Sequence, residues 1–358
     1  MRLTFICPPF DLSGGQRVIA TYADRLRRRG HYVVVVSPPH QRPTTQQIVY
    51  SLLRERRWPV LPGSSHFDWA ETERHILDRY RPVVDADVPD ADVVIATWWE
   101  TAEWVMALSP SKGAKVYFLQ HHEVFEYLPV KRVEATWRFP MQKITVAQWL
   151  ADLAREQYGD PKAQVVPNAV DQRLFHAKPR GKNSVPTVGF MYSSARFKGS
   201  DISLEAFRLA SKQLPDLRLV SFGLDKYNSR LPLPSGIRYY SNPLQNQIRD
   251  IYQSCDAWLF GSRSEGFGLP ILEAMACRTP VIGTPAGASP ELLAGGGGVL
   301  VRPEDPADMA AGIVRLCNLS AIEWRTLSDV AYNTAMKYNW DDATALFEKA
   351  LMVAICNR

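Results

Sequence analysis

Short apolar runs alternate with stretches of helical spacing from the start of the chain. "RLTFIC" is a continuous apolar run and "PPFDLSGG" a loop. "QRVIATYADRLRRRG" then carries apolar residues at helical spacing and stops at Gly30. "YVVVVS", "ADVVIAT" (91–97), "AKVYFLQ" (114–120) and "KITVAQ" read as buried strands, the last leading into a helix, "WLADLAREQYG". Strands without polar alternation, separated by helices, predict a parallel sheet covered on both faces.

"VPNAVDQRLFHAKPRGKNSVPT" (166–187) breaks this rhythm with three prolines and no periodicity, and reads as a linker. The alternation then restarts: strand "VGFMYS", helix "SLEAFRLASKQL", strands "LRLVSFG" and "IRYYS", helix "NQIRDIYQSC", strand "AWLFGS", helix "PILEAMAC", strand "PVIGT". Two such halves predict an α/β protein of two Rossmann-like domains facing each other across a cleft. Ligands of open α/β sheets bind beyond the carboxyl ends of the strands.

A length of 358 residues suits two domains, and 46% hydrophobic with 11% aromatic content marks a globular chain. The net charge of +5 favours anionic partners such as phosphates or a membrane surface and is too small to point to nucleic acid. The basic runs 25–30 and 54–58 read as solvated helix faces, with peripheral membrane contact as the alternative. Cys7, Cys255, Cys277, Cys317 and Cys356 show no C-x-x-C spacing and fit reduced packing residues of a cytoplasmic protein. The chain runs straight into "LTFIC", so no signal peptide is expected, and no apolar run nears the roughly 18 residues of a membrane span.

Three loops carry candidate chemistry. In "FDLSGGQRV", Gly14 and Gly15 follow a strand and open a helix, where backbone approaches a ligand closely and the helix end favours an anion. The spacing is not G-x-G-x-x-G, which leaves a dinucleotide site unsupported and a plain strand-to-helix turn as the alternative. In "GTPAGASPELL", Gly287 and the amides of Ala288 and Ser289 suit an anion nest. In "SEGFGLPILE", Glu265 lies at the carboxyl end of a strand and Pro270 suits the first turn of a helix. The turn Gly266, Phe267, Gly268, Leu269 presents backbone amides as a positive helix end, and Glu273 lies one turn in. One carboxylate suits sugar hydroxyls, the other a ribose diol, and the amides suit a diphosphate between them.

"SEGFGLPILEAMACRTPVIGTPAGASPELL" resembles the E-x7-E region of the retaining family 4 glycosyltransferases, which have the two-Rossmann GT-B fold. "VVPNAVDQRLF", "FKGSDISLEAF", "LSGGQRVIATYADRLRRRGHYVVVVS" and "YNWDDATALFEKAL" are similar to further segments of that family, and the likeness is weakest over residues 40–90. It implies an acceptor-binding domain at 1–170 and a nucleotide-sugar-binding domain at 171–335. Residues 336–358 would form a C-terminal helix packing back on the N-terminal domain. It implies that Glu265 contacts the donor sugar, Glu273 the ribose, and Lys198 the diphosphate. The family's usual arginine slot, six residues before that lysine, holds Tyr192. Either Arg196 takes the role or the site has one cation fewer. A histidine after the fourth strand should face the reacting sugar, and "YFLQHHEVFEY" offers His121 and His122. Adjacent strand residues point to opposite sides, so only one of them is expected to do so.

The resemblance implies a nucleotide-diphosphate sugar donor and a glycan or lipid-linked sugar acceptor in cell-surface polysaccharide or glycoconjugate synthesis. The expected place is the cytoplasm, with the inner face of the membrane as the alternative. The rivals are a sugar-nucleotide 2-epimerase of the same fold, a glycan phosphorylase or starch-type synthase, which would normally be longer, and a non-catalytic sugar-nucleotide binding module. "DADVPDAD" (85–92) contains D-x-D twice, yet it precedes a strand where a metal-binding copy would follow one. No catalytic metal or other cofactor is expected. Trp98, Trp99, Phe125 and Tyr127, with segment 40–75, either shape the acceptor site or simply pack.

Overall fold

A computed structural model describes residues 1–41, 43, 45, 64–224 and 231–358; the basic run 54–58 and much of segment 40–75 lie outside them. The chain forms two compact units, one of Met1–Val166 with Thr344–Arg358 and one of Pro167–Ala343.

The first unit is built on a parallel sheet in the order β3-β2-β1-β4-β5-β6-β7. Its strands are β1 (Arg2–Ile6), β2 (Tyr32–Ser37), β3 (Glu73–Ile76), β4 (Val93–Ala96), β5 (Ala114–Leu119), β6 (Gln142–Thr145) and β7 (Gln164–Val165). Val33 to Val36 are all buried, as a strand covered on both faces requires. The helices among its described residues include α1 (Gly14–Arg28), α2 (Trp99–Ala107), α3 (Val130–Thr136) and α4 (Gln148–Tyr158). Strand order reverses between β1 and β4, so the loops following these strands mark the switch point where ligands of such sheets bind. β3, with the exposed sequence ERHI, has no apolar run to announce it. It makes β5 the fifth strand in chain order where the sequence suggests a fourth. Of the basic run 25–30, Arg27 pairs with Glu71 at 2.6 Å and Arg28 with Asp24 at 2.9 Å, which fits a solvated helix face.

The second unit repeats the plan with the order β10-β9-β8-β11-β12-β13. Its strands are β8 (Thr187–Met191), β9 (Arg218–Gly223), β10 (Arg238–Ser241), β11 (Ala257–Phe260), β12 (Val281–Gly283) and β13 (Gly298–Leu300). The helices are α5 (Ser200–Ala210), α6 (Gln245–Gln253), α7 (Leu269–Ala276), α8 (Ser289–Leu293), α9 (Pro306–Cys317) and α10 (Ala321–Ala335). Here the reversal lies between β8 and β11.

The final helix, α11 (Trp340–Cys356), belongs in its larger part to the first unit. Its Phe347 is fully buried, stacking on Tyr22 of α1 at 4.4 Å and meeting Phe118 of β5 edge-on at 5.1 Å. Glu348 takes His31 at 2.6 Å and also pairs with Arg29. The units change at 166/167 and 343/344, not at the 170/171 and 335/336 drawn from the sequence. The reason is a seam inside the second unit: the Val170 amide donates to the Tyr338 carbonyl at 3.1 Å, and the Gln172 side chain donates to the Met336 carbonyl at 2.9 Å. No helix among the described residues is long and apolar enough to cross a membrane.

Candidate active site

In the second unit, the loops after β8, β11 and β12 meet at the switch point. Gly199 has φ +61°, and a Cβ there would lie 1.8 Å from the Gly261 carbonyl oxygen. Only glycine allows this approach. It seats the turn Arg196–Lys198 against the loop after β11, where the Arg263 amide donates to the Phe197 carbonyl at 2.8 Å. Lys198 Nζ then donates to Glu265 Oε1 at 2.8 Å, and Ser262 Oγ donates to the same oxygen at 3.0 Å. Glu265 is 9% exposed and Lys198 half-buried, so the pair is shielded far more than an ordinary surface pair. A small cavity lined by Met191, Lys198, Phe260, Ser262 and Pro270 adjoins it.

Gly287 has a different job from the expected one. With φ +63°, it lets the loop after β12 press onto the turn, where a Cβ would fall 2.8 Å from the Phe267 carbonyl oxygen and 2.9 Å from Glu265 Cβ. The Ala288 amide donates to the Phe267 carbonyl at 2.9 Å and the Ser289 amide to the Ala286 carbonyl at 3.2 Å. The amides suggested as an anion nest are therefore consumed in holding the loops together. Gly266 and Phe267 lie in the turn that follows Glu265, Gly268 caps α7 with φ +98°, and Leu269 and Pro270 begin that helix.

Glu273, inside α7, is buried and accepts a hydrogen bond from the Tyr252 hydroxyl at 3.0 Å. Tyr252 sits on the buried face of α6 and meets the Trp258 ring at 4.5 Å. Nothing in its helical pattern marks it as a partner of a site carboxylate. Tyr192, in the family's arginine slot, is a core residue whose hydroxyl donates to the Leu231 carbonyl at 3.0 Å. Arg196 is exposed, and its guanidinium meets no partner among the described residues.

In the first unit, Gly14 and Gly15 form the opening of α1, with Ser13 as cap. Gln120, just past β5, donates to the Gly15 carbonyl at 3.2 Å, joining the glycine loop to the histidine loop. The two histidines part company. His121 stacks on Phe125 at 5.0 Å, with Nδ1 2.9 Å from the His122 carbonyl oxygen, an arrangement that places the proton on Nδ1. His122 meets Trp137 edge-on at 5.2 Å and shares a hydrogen bond of 2.7 Å with the Tyr158 hydroxyl. Burial, helped by the neighbouring His121, pushes its pKa from 6.5 down to about 4. His122 is thus packed and held neutral, which favours His121 as the candidate to face the reacting sugar. The depressed value means that the folded state binds fewer protons than the unfolded chain between pH 4 and 6.5. Stability from this group therefore falls as the pH drops through that window. A ring-proton NMR titration should place the His122 midpoint near 4; a midpoint near 6.5 would contradict the packing.

Glu123 is a residue that sequence reasoning missed. It is buried, accepts from the Trp99 amide at 3.1 Å where α2 begins, and is pushed well above the usual carboxylate range by desolvation. Beyond it, Phe125 and Tyr127 stack at 5.4 Å, with Tyr127 73% exposed. Trp99 is packed under the Arg132 guanidinium, 4.9 Å from its ring centre. The D-x-D carboxylates are all engaged. Asp85 accepts from the Ser109 amide at 2.9 Å, Asp87 binds Arg81 at 2.6 Å, Asp90 binds Lys112 at 3.0 Å, and Asp92 accepts from the Arg2 amide at 2.7 Å. These partners hold all four below the usual range. Among the described residues, no three His, Cys, Asp or Glu side chains cluster as metal ligands.

Two family models match this chain: Glycosyltransferase Family 4 over residues 12–174 and Glycosyl transferases group 1 over residues 182–318. The chain belongs to the family 4 glycosyltransferases. Among curated glycosyltransferases it is 34% identical over 123 residues to D-inositol 3-phosphate glycosyltransferase of Streptomyces bingchenggensis, covering 34% of this chain and 27% of that protein. It is 30% identical over 207 residues to MMP alpha-(1->4)-mannosyltransferase of Mycolicibacterium hassiacum, covering 54% and 50%. The chain therefore spans about a quarter to a half of the length of these relatives. In fold it is similar to sucrose-phosphate synthase from Thermosynechococcus elongatus, with TM-score 0.75, 16% identity and full coverage of both chains. It is likewise similar to Anabaena HepE in complex with UDP and glucose, with TM-score 0.72, 17% identity and coverage of 99% and 100%. This glycosyltransferase thus has the GT-B architecture of two parallel-sheet domains.

Proposed function

We propose that this glycosyltransferase moves a sugar, with retention of configuration, from a nucleoside diphosphate donor to a hydroxyl of a glycan or lipid-linked acceptor. The product would be a cell-surface polysaccharide or glycoconjugate, made in the cytoplasm at the inner face of the membrane. The observation that carries the reading is the shielded Lys198–Glu265 pair at the start of α7, with Glu273 one turn into the same helix. Glu265 accepts from hydroxyls of the donor sugar, and Glu273 accepts from the ribose. Lys198, Arg196 and the amides that open α7 stabilise the diphosphate as negative charge collects on it. The anomeric carbon–phosphate oxygen bond breaks while the acceptor oxygen bonds to the same face. The acceptor proton passes to the departing phosphate, so no covalent enzyme intermediate is needed. His121 lines the acceptor side, in the loop after β5. HepE, a neighbour in fold, carries UDP and glucose, which supports a donor of this chemistry.

The test is a thermal-shift screen of UDP-, GDP- and dTDP-sugars, followed by product analysis with the donor that responds. A ligand at a hundred times its Kd adds about 2.7 kcal/mol of stability, so the matching base should stand out. The product linkage should keep the donor's anomeric configuration, and turnover should survive saturating EDTA, because every D-x-D carboxylate is already engaged. An inverted linkage would exclude retention. Free monosaccharide released without acceptor would point to an epimerase, binding without any turnover to a sugar-nucleotide module. Activity lost to EDTA and restored by manganese would overturn the metal-free reading.

A further inference from the structure

We propose that Arg263 is a positioning residue for the leaving diphosphate: it holds the Arg196–Lys198 turn against Glu265. The inference rests on the donor-site reading above.

Arg263 lies two residues ahead of Glu265, and its guanidinium reaches three separate segments. Nη1 donates to the Arg196 carbonyl at 2.6 Å and to Asp201 Oδ1 at 2.8 Å. Nη2 donates to Asp201 Oδ2 at 2.7 Å and to Glu304 Oε2 at 3.0 Å. Its own amide donates to the Phe197 carbonyl at 2.8 Å. One side chain therefore ties the turn that carries both candidate cations to the first turn of α5 and to the segment after β13. Glu304 joins this clamp from a left-handed backbone conformation, φ +55°, that a residue with a Cβ adopts only under constraint.

The charge balance separates this role from direct ligand binding. Two carboxylates share the Arg263 guanidinium, so it has no spare positive charge for a phosphate. Arg196, gripped only by its carbonyl, keeps its guanidinium exposed. Lys198 sits at the other end of the same short turn, already aimed at Glu265. The clamp thus fixes where both cations start from without competing for their ligand. Lysine cannot replace it, because a single ammonium does not reproduce a planar fork spanning a carbonyl and two carboxylates.

The test compares two ligands on one protein. Affinities for UDP, GDP and dTDP, and for the corresponding nucleosides, are measured by calorimetric competition on wild type, Arg263→Lys and Arg263→Met. The preference for nucleoside diphosphate over nucleoside should fall about tenfold or more in both variants, as expected when charge-assisted contacts lose their alignment. Nucleoside affinity itself should stay near wild type, because Glu273 and α7 are untouched, and kcat should fall more than KM for the donor rises. Equal loss for both ligands would reduce Arg263 to a general scaffold role and overturn the proposal, as would an unchanged preference. Glu304→Gln keeps the arginine and removes one charge from the clamp. It should shift the preference in the same direction to a smaller extent, and it covers the case in which the arginine variants do not fold. Failure of wild type to bind any of the three nucleoside diphosphates would instead remove the donor site itself.

Discussion

Lys198→Ala lowers sugar transfer by about a hundredfold or more, the loss typical of removing one preorganised group that stabilises transition-state charge. The size follows from where the ammonium sits. Its 2.8 Å bond to Glu265 places it over a nearly buried carboxylate. In the proposed reaction, the same ammonium is the charge that stabilises the departing diphosphate. Without it, Glu265 keeps Ser262 as its one side-chain partner among the described residues, and a carboxylate then faces an anionic leaving group. Both effects oppose the reaction, so kcat should fall more than donor affinity. Lys198→Arg should not restore the rate, since a guanidinium is larger and its fork needs different geometry. Arg196→Ala should cost a comparable factor, because Arg196 is exposed on the same turn with no partner among the described residues. Tyr192→Phe should be mild, as it keeps the core ring and removes a hydroxyl that donates to the Leu231 carbonyl. Steady-state rates with the donor found in the screen decide all four. Wild-type rates in Arg196→Ala would show that this site works with one cation.

What could be read in advance divides along a physical line. Period and composition report burial, so the buried central strands of both sheets were legible, while the exposed β3 and the short β7 and β13 were not. The glutamate spacing reports local geometry, because residues at a helix start are fixed by their neighbours in sequence. Partners far apart in sequence left no such trace. Tyr252 lies 21 residues from Glu273 and looks like any other apolar position of its helix. The packing that sets His122 apart from His121 comes from Tyr158, which lies 36 residues beyond His122. The Gly287 loop was read as an anion nest, but the Ala288 and Ser289 amides serve the Phe267 and Ala286 carbonyls. Helix α2 hid inside "TWWETAEWV", where aromatic residues drew the reading toward ligand contacts. In the fold those indoles split, with Trp99 packed and Trp98 half-buried.

Glu273→Ala and Glu265→Ala should fail in opposite ways. Glu273 is buried inside α7 and bonded to the Tyr252 hydroxyl, which fixes one carboxylate oxygen and orients the group. A hydrogen bond to a charged group is worth about 1.5–3 kcal/mol, so losing the ribose contact should weaken nucleoside diphosphate binding by about ten- to a hundredfold. Some stability should go as well, because the variant leaves the Tyr252 hydroxyl without this acceptor. Glu273→Gln, whose amide oxygen can still accept from Tyr252, separates the two losses: it should keep the melting temperature while affinity still drops. Glu265→Ala acts elsewhere. It releases Lys198 from its 2.8 Å ion pair, and the freed ammonium is then wholly available to the diphosphate. Nucleoside diphosphate affinity should therefore hold or rise slightly, while transfer collapses because the donor sugar loses its acceptor. Calorimetry with the free nucleoside diphosphate, set beside single-turnover rates, reads both variants on one scale. A 2′,3′-dideoxy nucleoside diphosphate should bind wild type about as weakly as the ribose form binds Glu273→Ala. Equal affinity losses in the two alanine variants would mean that the carboxylates act on the same part of the donor, and the division between sugar and ribose would have to be abandoned.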